Sequence, residues 1–305
     1  MRKILGILGP TCVGKSQVGM MLAEKLGVDL ISADSAQIYI GMDIGTAKPD
    51  KEEQKRVRHR LIDIVQPDDE SFNAFLYAEA AKAAMDENPE MQPLLVGGTG
   101  LYFETLIYGL DFPVNEETFS VRKELKQFLS QNGEDALYEM LLNADPESAK
   151  SIHKHNVKGV MRALEIYRTG GRKKSQASSA DRKPKMDFKF YIINEQREKL
   201  YDSINRRVDT MVDKGLFEEV ENLLNRFPAD CRGFSAIGYK EIVDYFSGSC
   251  SKDDAISLIK QHTRNYAKRQ LTFFKRLPAV WLEKCETEKM CDMISEDFYD
   301  RQNLR

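Results

Sequence analysis

Two rhythms of apolar and polar positions alternate along the 305-residue chain. Short apolar runs, bounded by glycine or by helical pattern, fall at 3–8, 29–32, 93–96 and 187–193, and apolar residues at helical spacing fill much of the chain between them. This is the βαβ alternation of a parallel sheet flanked by helices. Gly14-Lys15-Ser16 opens a helix that runs to about Leu26. A second helix is expected over 72–85 with Ser71 as its N-cap, and a third continues from a glycine turn over 101–106. From 113 to about 185 the strands stop and consecutive helical patterns take over, ending in a polar run rich in Lys, Ser, Arg and Gly that reads as a mobile basic segment. The run at 187–193 returns the chain to the sheet, and long helices follow at about 195–214, 217–227 and 252–276. The fold class is therefore α/β: a core of 1–113 plus 186–305, interrupted by a helical insertion domain at 114–185.

Composition narrows the class. Hydrophobic residues make up 42% and charged residues 30%, which suits a globular cytoplasmic protein, and no apolar run approaches the roughly 18 residues of a membrane span. The apolar start of the chain is broken by Gly9-Pro10, so it reads as a first strand and not as a signal peptide. Five cysteines without CxxC spacing and four histidines without suitably spaced partners point to a reduced, zinc-free protein. The net charge of −3 hides an uneven distribution. Between Lys150 and Lys189 stand twelve basic residues against three acidic ones, and Lys260 to Arg276 holds six basic residues and no acid. Two such stretches on an otherwise acidic chain favour a polyanionic partner.

Gly9-Pro10-Thr11-Cys12-Val13-Gly14-Lys15-Ser16 matches GxxxxGK[ST] between an apolar strand and a helix. In that setting backbone N–H groups and the helix N-terminus converge on phosphate oxygens, Lys15 adds a point charge, and the Ser16 hydroxyl is placed to hold Mg²⁺. P-loop nucleotidases add a second strand ending in an acid that helps hold the metal. Here the strand at 93–96 ends in Gly97-Gly98-Thr99-Gly100, which speaks against an ordinary ATPase or GTPase and suggests a second close approach of backbone to ligand. Asp34 follows the strand at 29–32, at the carboxyl end where open α/β sheets bind ligands. It is the best general-base candidate, with capping of a turn or water-mediated contact to Mg²⁺ as rival roles.

The blocks Gly9–Ser16, Ile31–Pro49, His59–Ile64, Val96–Tyr102, Arg162–Glu165, Ala236–Glu241 and Thr263–Gln270 together resemble, in order and spacing, the motifs of bacterial tRNA dimethylallyltransferases over nearly the whole chain. The resemblance implies a kinase-like P-loop core and transfer of a dimethylallyl group from dimethylallyl diphosphate to N6 of the adenosine 3′-adjacent to the anticodon. The tRNAs would be those reading codons that begin with U. By resemblance the P-loop grips the donor's diphosphate, Asp34 is the base, and Arg207 steadies the leaving group, with Arg197 and Arg206 as open alternatives. Thr99 and Arg122 take the family's positions for transition-state stabilisation. Contacts to tRNA are implied for Asp34, Ser35, Ala36 and Gln37; for Lys158, Gly159, Val160, Met161 and Arg162; for Ser235, Ala236, Ile237, Gly238, Tyr239 and Lys240; and for Lys268, Arg269, Gln270 and Lys275. Gly159 stands where many relatives carry a second basic residue. Lys260, Arg264 and Lys268, four residues apart, are expected to line one helix face, and Phe273 and Phe274 read as core. The implied partners are the anticodon stem-loop of tRNA and dimethylallyl diphosphate, with Mg²⁺ as cofactor, for an enzyme working as a monomer away from membranes. A small-molecule kinase and an isopentenyltransferase acting on AMP share the loop and remain the rival readings.

Overall fold

In the computed structural model, which describes residues 3–109, 116–170 and 183–299, the apolar runs become strands of one sheet. These are β1 (Ile4–Leu8), β2 (Leu30–Ser32), β3 (His59–Arg60), β4 (Leu94–Gly97), β5 (Phe188–Asn194) and β6 (Val280–Glu283). All are parallel, in the order β3-β2-β4-β1-β5-β6. Every residue of β1, β2 and β4 is buried, as expected of central parallel strands covered by helices on both faces. The two edge strands escaped the apolar pattern for opposite reasons. β3 is only two residues long, and β6 exposes Val280, Trp281 and Glu283 on the sheet's rim.

The helices are α1 (Lys15–Leu26), α2 (Lys51–Arg56), α3 (Ala74–Asp86), α4 (Gly100–Tyr108), α5 (Glu116–Ala144, broken at Gly133), α6 (Pro146–Ser151), α7 (Val157–Gly170), α8 (Arg197–Asp213), α9 (Leu216–Leu224), α10 (Tyr239–Phe246), α11 (Lys252–Phe274) and α12 (Thr287–Tyr299). The N-cap of α3 is Asn73 and not Ser71: the Asn73 side chain accepts from the N–H groups of Phe75 and Leu76. The N–H of Ser71 is already taken by Asp69 in a turn that precedes the helix. No helix among the described residues is long and apolar enough to cross a membrane.

Two compact units emerge, one comprising 1–107 with 185–305 and the other 108–184. In the first, α1, α8 and α12 pack on the sheet through Val18, Leu22, Leu200, Ile204, Ile294 and Phe298. A second cluster joins Ile38, Met42, Phe217, Tyr239 and Ile259 beside it. The helical unit has its own core around Leu125, Leu141, Val160 and Leu164. Each fully buried side chain of this kind contributes roughly 1.5–3 kcal/mol. The basic run read as a mobile segment falls largely on 171–182, outside the described residues, as does the 110–115 stretch where the insertion was expected to begin.

The carboxyl ends of β1, β2 and β4 lie side by side. Ala33 donates to the Val96 carbonyl (2.8 Å), and Thr99 donates back to the Ala33 carbonyl (3.0 Å), so the turn after β4 is tied to the turn that carries Asp34. The approach is so close that a Cβ on Gly97 would stand 2.1 Å from the Ala33 oxygen. Gly97→Ala is therefore expected to lower unfolding stability by about 2–3 kcal/mol in a urea titration, because the overlap is with backbone and no side chain can move aside.

Candidate functional site

The P-loop leaves β1 at Gly9 and enters α1 at Lys15. Gly14 adopts φ 101° at the N-cap, which frees the first N–H groups of the helix from any side-chain cap. Lys15 is buried at 8% exposure, and its ammonium donates to the Pro10 carbonyl at 3.4 Å. Burial depresses the Lys15 amine below the usual lysine value; Asp34 and Cys12 oppose that shift, and the Arg207 guanidinium adds to it. Ser16 is exposed on the first turn of α1.

Of the three arginines left open on α8, Arg207 is the one whose guanidinium meets the loop. It donates to Thr11 Oγ1 (3.3 Å), to Cys12 Sγ (3.7 Å) and to the Thr46 carbonyl (3.5 Å). Arg206 is exposed, and so is Arg197, whose guanidinium lies 5.1 Å from the Tyr201 ring centre. The partners of Arg207 in these contacts are neutral, and among the described residues no carboxylate forms a close ion pair with either Lys15 or Arg207 at this loop. Such a place attracts an anion.

Asp34 divides its carboxylate. Oδ1 accepts from the N–H groups of Ala36 (2.9 Å) and Gln37 (3.4 Å), which makes it a turn cap, while Oδ2 has no partner among the described residues. Capping the turn through Oδ1 thus leaves Oδ2 open for either of the other two roles weighed from the sequence, proton acceptor or water-mediated contact to Mg²⁺. Thr99 Oγ1 accepts from the Ser35 N–H (2.9 Å) and donates to the Ser35 hydroxyl (3.2 Å). Gln37 turns away and binds the Thr46 and Ala47 carbonyls and the Ser32 hydroxyl.

Thr11, Asp34, Ser35, Ala36, Arg207, Ser235 to Gly238, Arg269 and Gln270 all line one cavity of about 400 Å³. The sequence had not singled out Tyr39, Gly45, Thr46, Val208, Met211, Arg232, Ile259, Thr263 or Tyr266, which complete its wall. Tyr39, Gly45, Thr46, Thr263 and Tyr266 sit inside motif blocks, which was the available signal. Arg232 and the apolar residues carried none. Burial pushes the Tyr266 phenol up to about 12, reinforced by the charge of Asp34 and opposed by the nearby Thr99, Arg269 and Gln270 side chains. The wall at 43–46 is held from behind by Glu219, which accepts from the N–H groups of Asp43 (3.0 Å), Ile44 (2.8 Å) and Gly45 (3.3 Å) and from the Tyr239 hydroxyl (2.6 Å).

The residues assigned to tRNA by resemblance sort by exposure. Ser235, Lys240, Lys268, Arg269 and Lys275 are exposed, whereas Tyr239 is wholly buried and Gln270 is 5% exposed. Lys260 and Arg264 do not share an open face with Lys268, because α11 packs on α8 there: Lys260 pairs with Asp209 and Arg264 donates to Asn205. Lys268 and Lys275 instead line a second cavity of about 550 Å³ with Arg197, Tyr201 and Trp281. Phe274 is core as expected, and Phe273 is half-buried against Gly100.

In the helical unit, Lys158 is exposed and Val160 is core. Arg122 forms a two-pronged pair with buried Glu165 (2.6 and 3.0 Å), which also accepts from Arg162 (3.1 Å). Sequence reasoning passed over Glu165, although it is one of only three acids in the first basic stretch.

Comparison with known proteins agrees with this geometry. The family described as IPP transferase matches residues 37–277. A tRNA dimethylallyltransferase of Geobacillus thermodenitrificans is 42% identical over 300 residues, covering 97% of this chain and 95% of that one. The crystal structure of a tRNA isopentenylpyrophosphate transferase from Staphylococcus epidermidis superposes with a TM-score of 0.73 at 36% identity, covering 99% of this chain and 100% of that chain. A eukaryotic dimethylallyltransferase acting on tRNA gives a TM-score of 0.83 at 26% identity, covering 99% of this chain and 80% of that chain.

The Arg122–Glu165–Arg162 cluster predicts a pH signature. Burial alone would raise the Glu165 carboxyl, but the two arginines together outweigh it and hold it below the usual glutamate value of 4.5. A carboxylate with a depressed folded value stabilises the protein above its unfolded value and loses that contribution as pH falls through the folded one. Acid titration of stability followed by circular dichroism is therefore expected to steepen below pH about 4.5, and Glu165→Gln is expected to flatten that limb while costing about 1–3 kcal/mol at neutral pH.

Proposed function

The chain belongs to the IPP transferase family, and from that premise we propose how its residues carry out the transfer of a dimethylallyl group to tRNA. The activity is that of a tRNA dimethylallyltransferase. The observation that carries the assignment of roles is the common cavity whose wall holds Asp34, with one unengaged oxygen, together with Thr11 of the P-loop and Arg207 of α8. The amine of the target adenosine attacks the allylic carbon of dimethylallyl diphosphate, the carbon–oxygen bond breaks, and Asp34 takes the N6 proton. Electrons of the broken bond stay with the departing diphosphate. Its growing charge is received by the N–H groups of the P-loop, by Lys15 and by Arg207, all in place before reaction.

The apolar part of the wall, Val208, Met211, Ile237 and Ile259, suits the five-carbon group. Mg²⁺ fits a donor set in which the protein offers the exposed Ser16 hydroxyl and the diphosphate and water offer the remaining oxygens. It would neutralise charge on the diphosphate. The cluster of three or more acidic, histidine or cysteine residues that would make an all-protein metal cage is absent among the described residues.

The acceptor is a base stacked in the anticodon loop, so it must be extruded to reach Asp34. The exposed Lys268, Arg269 and Lys275 of the α11 segment suit the phosphates of that loop, and Trp281 and Tyr201 beside them offer faces on which a base could stack. A tRNA substrate sets the reaction in the cytoplasm.

Labelled dimethylallyl diphosphate offered with tRNA, with AMP or with ATP and small acceptors separates the rival enzymes. Label is expected in tRNA alone; label in AMP, or phosphoryl transfer from ATP, would favour one of the other two readings. For the base, Asp34→Asn preserves the turn cap through its amide oxygen but removes the proton acceptor. Single-turnover rates at saturating substrates are expected to fall by about 10²–10⁴-fold with both affinities nearly kept. Recovery of that variant at high Mg²⁺ would assign Asp34 to the metal instead, since added metal does not replace a proton acceptor.

A further inference from the structure

The hydrogen-bond ladder between β1 and β4 ends at the pair Leu8 and Gly97. Beyond it the two backbones part, one into the P-loop and the other into Gly98-Thr99-Gly100. Their next polar groups would lack partners if nothing entered the gap, and unpaired backbone groups at a buried site cost about 1–3 kcal/mol each. Gln270 enters it. Its Oε1 accepts the Thr11 N–H (2.9 Å) and its Nε2 donates to the Gly98 carbonyl (2.9 Å). A primary amide is suited to this bridge because it presents an acceptor and a donor side by side, and the two partners dictate which end is which. The fit is tight: a Cβ on Gly98 would stand 2.3 Å from Gln270 Nε2, so the second glycine of the turn is explained by this side chain. Tyr266, one turn earlier on α11, lies close to the amide and to Thr99, whose hydroxyl holds the Ser35 N–H beside Asp34.

We propose that Gln270 is a positioning residue for the transfer reaction: a side-chain rung that continues the sheet past its last pair and fixes the diphosphate loop relative to the turn of Asp34. The proposal rests on the reading of the P-loop as the donor's diphosphate site. It gives Gln270 a different task from its exposed neighbours Lys268 and Arg269. Loss of the rung frees Thr11, and with it the backbone and the Arg207 contact that receive the leaving group, while the outward cations that face RNA stay where they are.

The test compares wild type, Gln270→Met and Tyr266→Phe. Methionine keeps the length and bulk of the side chain and removes both hydrogen bonds. Binding of inorganic pyrophosphate in the presence of Mg²⁺ is followed by calorimetry, tRNA affinity is measured separately, and single-turnover transfer is timed at saturating substrates. Folding is checked by circular dichroism. Gln270→Met is expected to weaken pyrophosphate binding about tenfold and to slow transfer at least as much, with tRNA affinity within about twofold of wild type. Tyr266→Phe, which keeps the amide and removes only the neighbouring phenol hydroxyl, is expected to show the same pattern at about threefold and serves if the methionine variant does not fold. A lowered melting midpoint with unchanged pyrophosphate affinity in the folded protein would overturn the proposal, and so would loss of tRNA affinity with pyrophosphate binding intact. The premise has its own readout: wild type that fails to bind pyrophosphate, or Lys15→Ala that binds it as well as wild type, would remove the diphosphate reading and the proposal together.

Discussion

Two cations held close together without full compensation are the constraint around which the site is built. Lys15 is buried at the start of α1, Arg207 comes to the same loop from α8, and their contacts there are carbonyls, a hydroxyl and a thiol. Burial depresses the Lys15 amine and the Arg207 charge adds to that shift, which is the electrostatic cost of keeping the two cations together; Asp34 offsets part of it. In the proposed reaction the donor's diphosphate would supply the missing negative charge. Binding it and stabilising its departure draw on the same preorganised groups, and the stabilisation grows as charge collects on the leaving oxygen.

Helix α11 shows how one element serves both substrates. Gln270 and Tyr266 lie four residues apart and share the inward face, where they meet the P-loop and the turn after β4. Lys268 and Lys275, seven apart, share an outward face beside Trp281. The helical period keeps these pairs on separate faces, so the loop-holding face and the outward cationic one can each be specified by a few positions of a single sequence block.

The central strands and most long helices were legible because burial on both faces leaves continuous apolar runs, and covering helices leave a 3.6-residue period. β3 and β6 were not, since a two-residue strand has no period and an edge strand with exposed Val280 and Trp281 does not look buried. The P-loop and Asp34 were legible as motifs because their chemistry is local in sequence. Gln270 illustrates the opposite case: its partners Thr11 and Gly98 are 259 and 172 residues away, and a glutamine amid lysines and arginines reads as another RNA contact until the fold turns it inward. The partners that engage Lys260 and Arg264 were hidden for a related reason. Spacing put them in line with Lys268 but said nothing of Asp209 and Asn205 on α8.

The glycine turn after β4 also explains what the site can do without. Enzymes that move a phosphoryl group need a metal anchored where the transferred group carries its charge, and a carboxylate at that strand end helps to anchor it. In prenyl transfer the diphosphate leaves whole, so negative charge accumulates on the leaving group while the transferred carbon skeleton is apolar. The demand is then for cations on the leaving side and a proton acceptor on the side of the attacking amine. An acid at Gly97 or Gly98 would add negative charge beside the diphosphate, and it would collide with the Ala33 carbonyl at the first position or with Gln270 at the second. Replacing acid by glycine at this turn lets backbone and Gln270 fill the space between the donor loop and Asp34. The absence of a strand-terminal carboxylate is thus tied, through geometry and charge alike, to a reaction that breaks carbon–oxygen instead of phosphorus–oxygen.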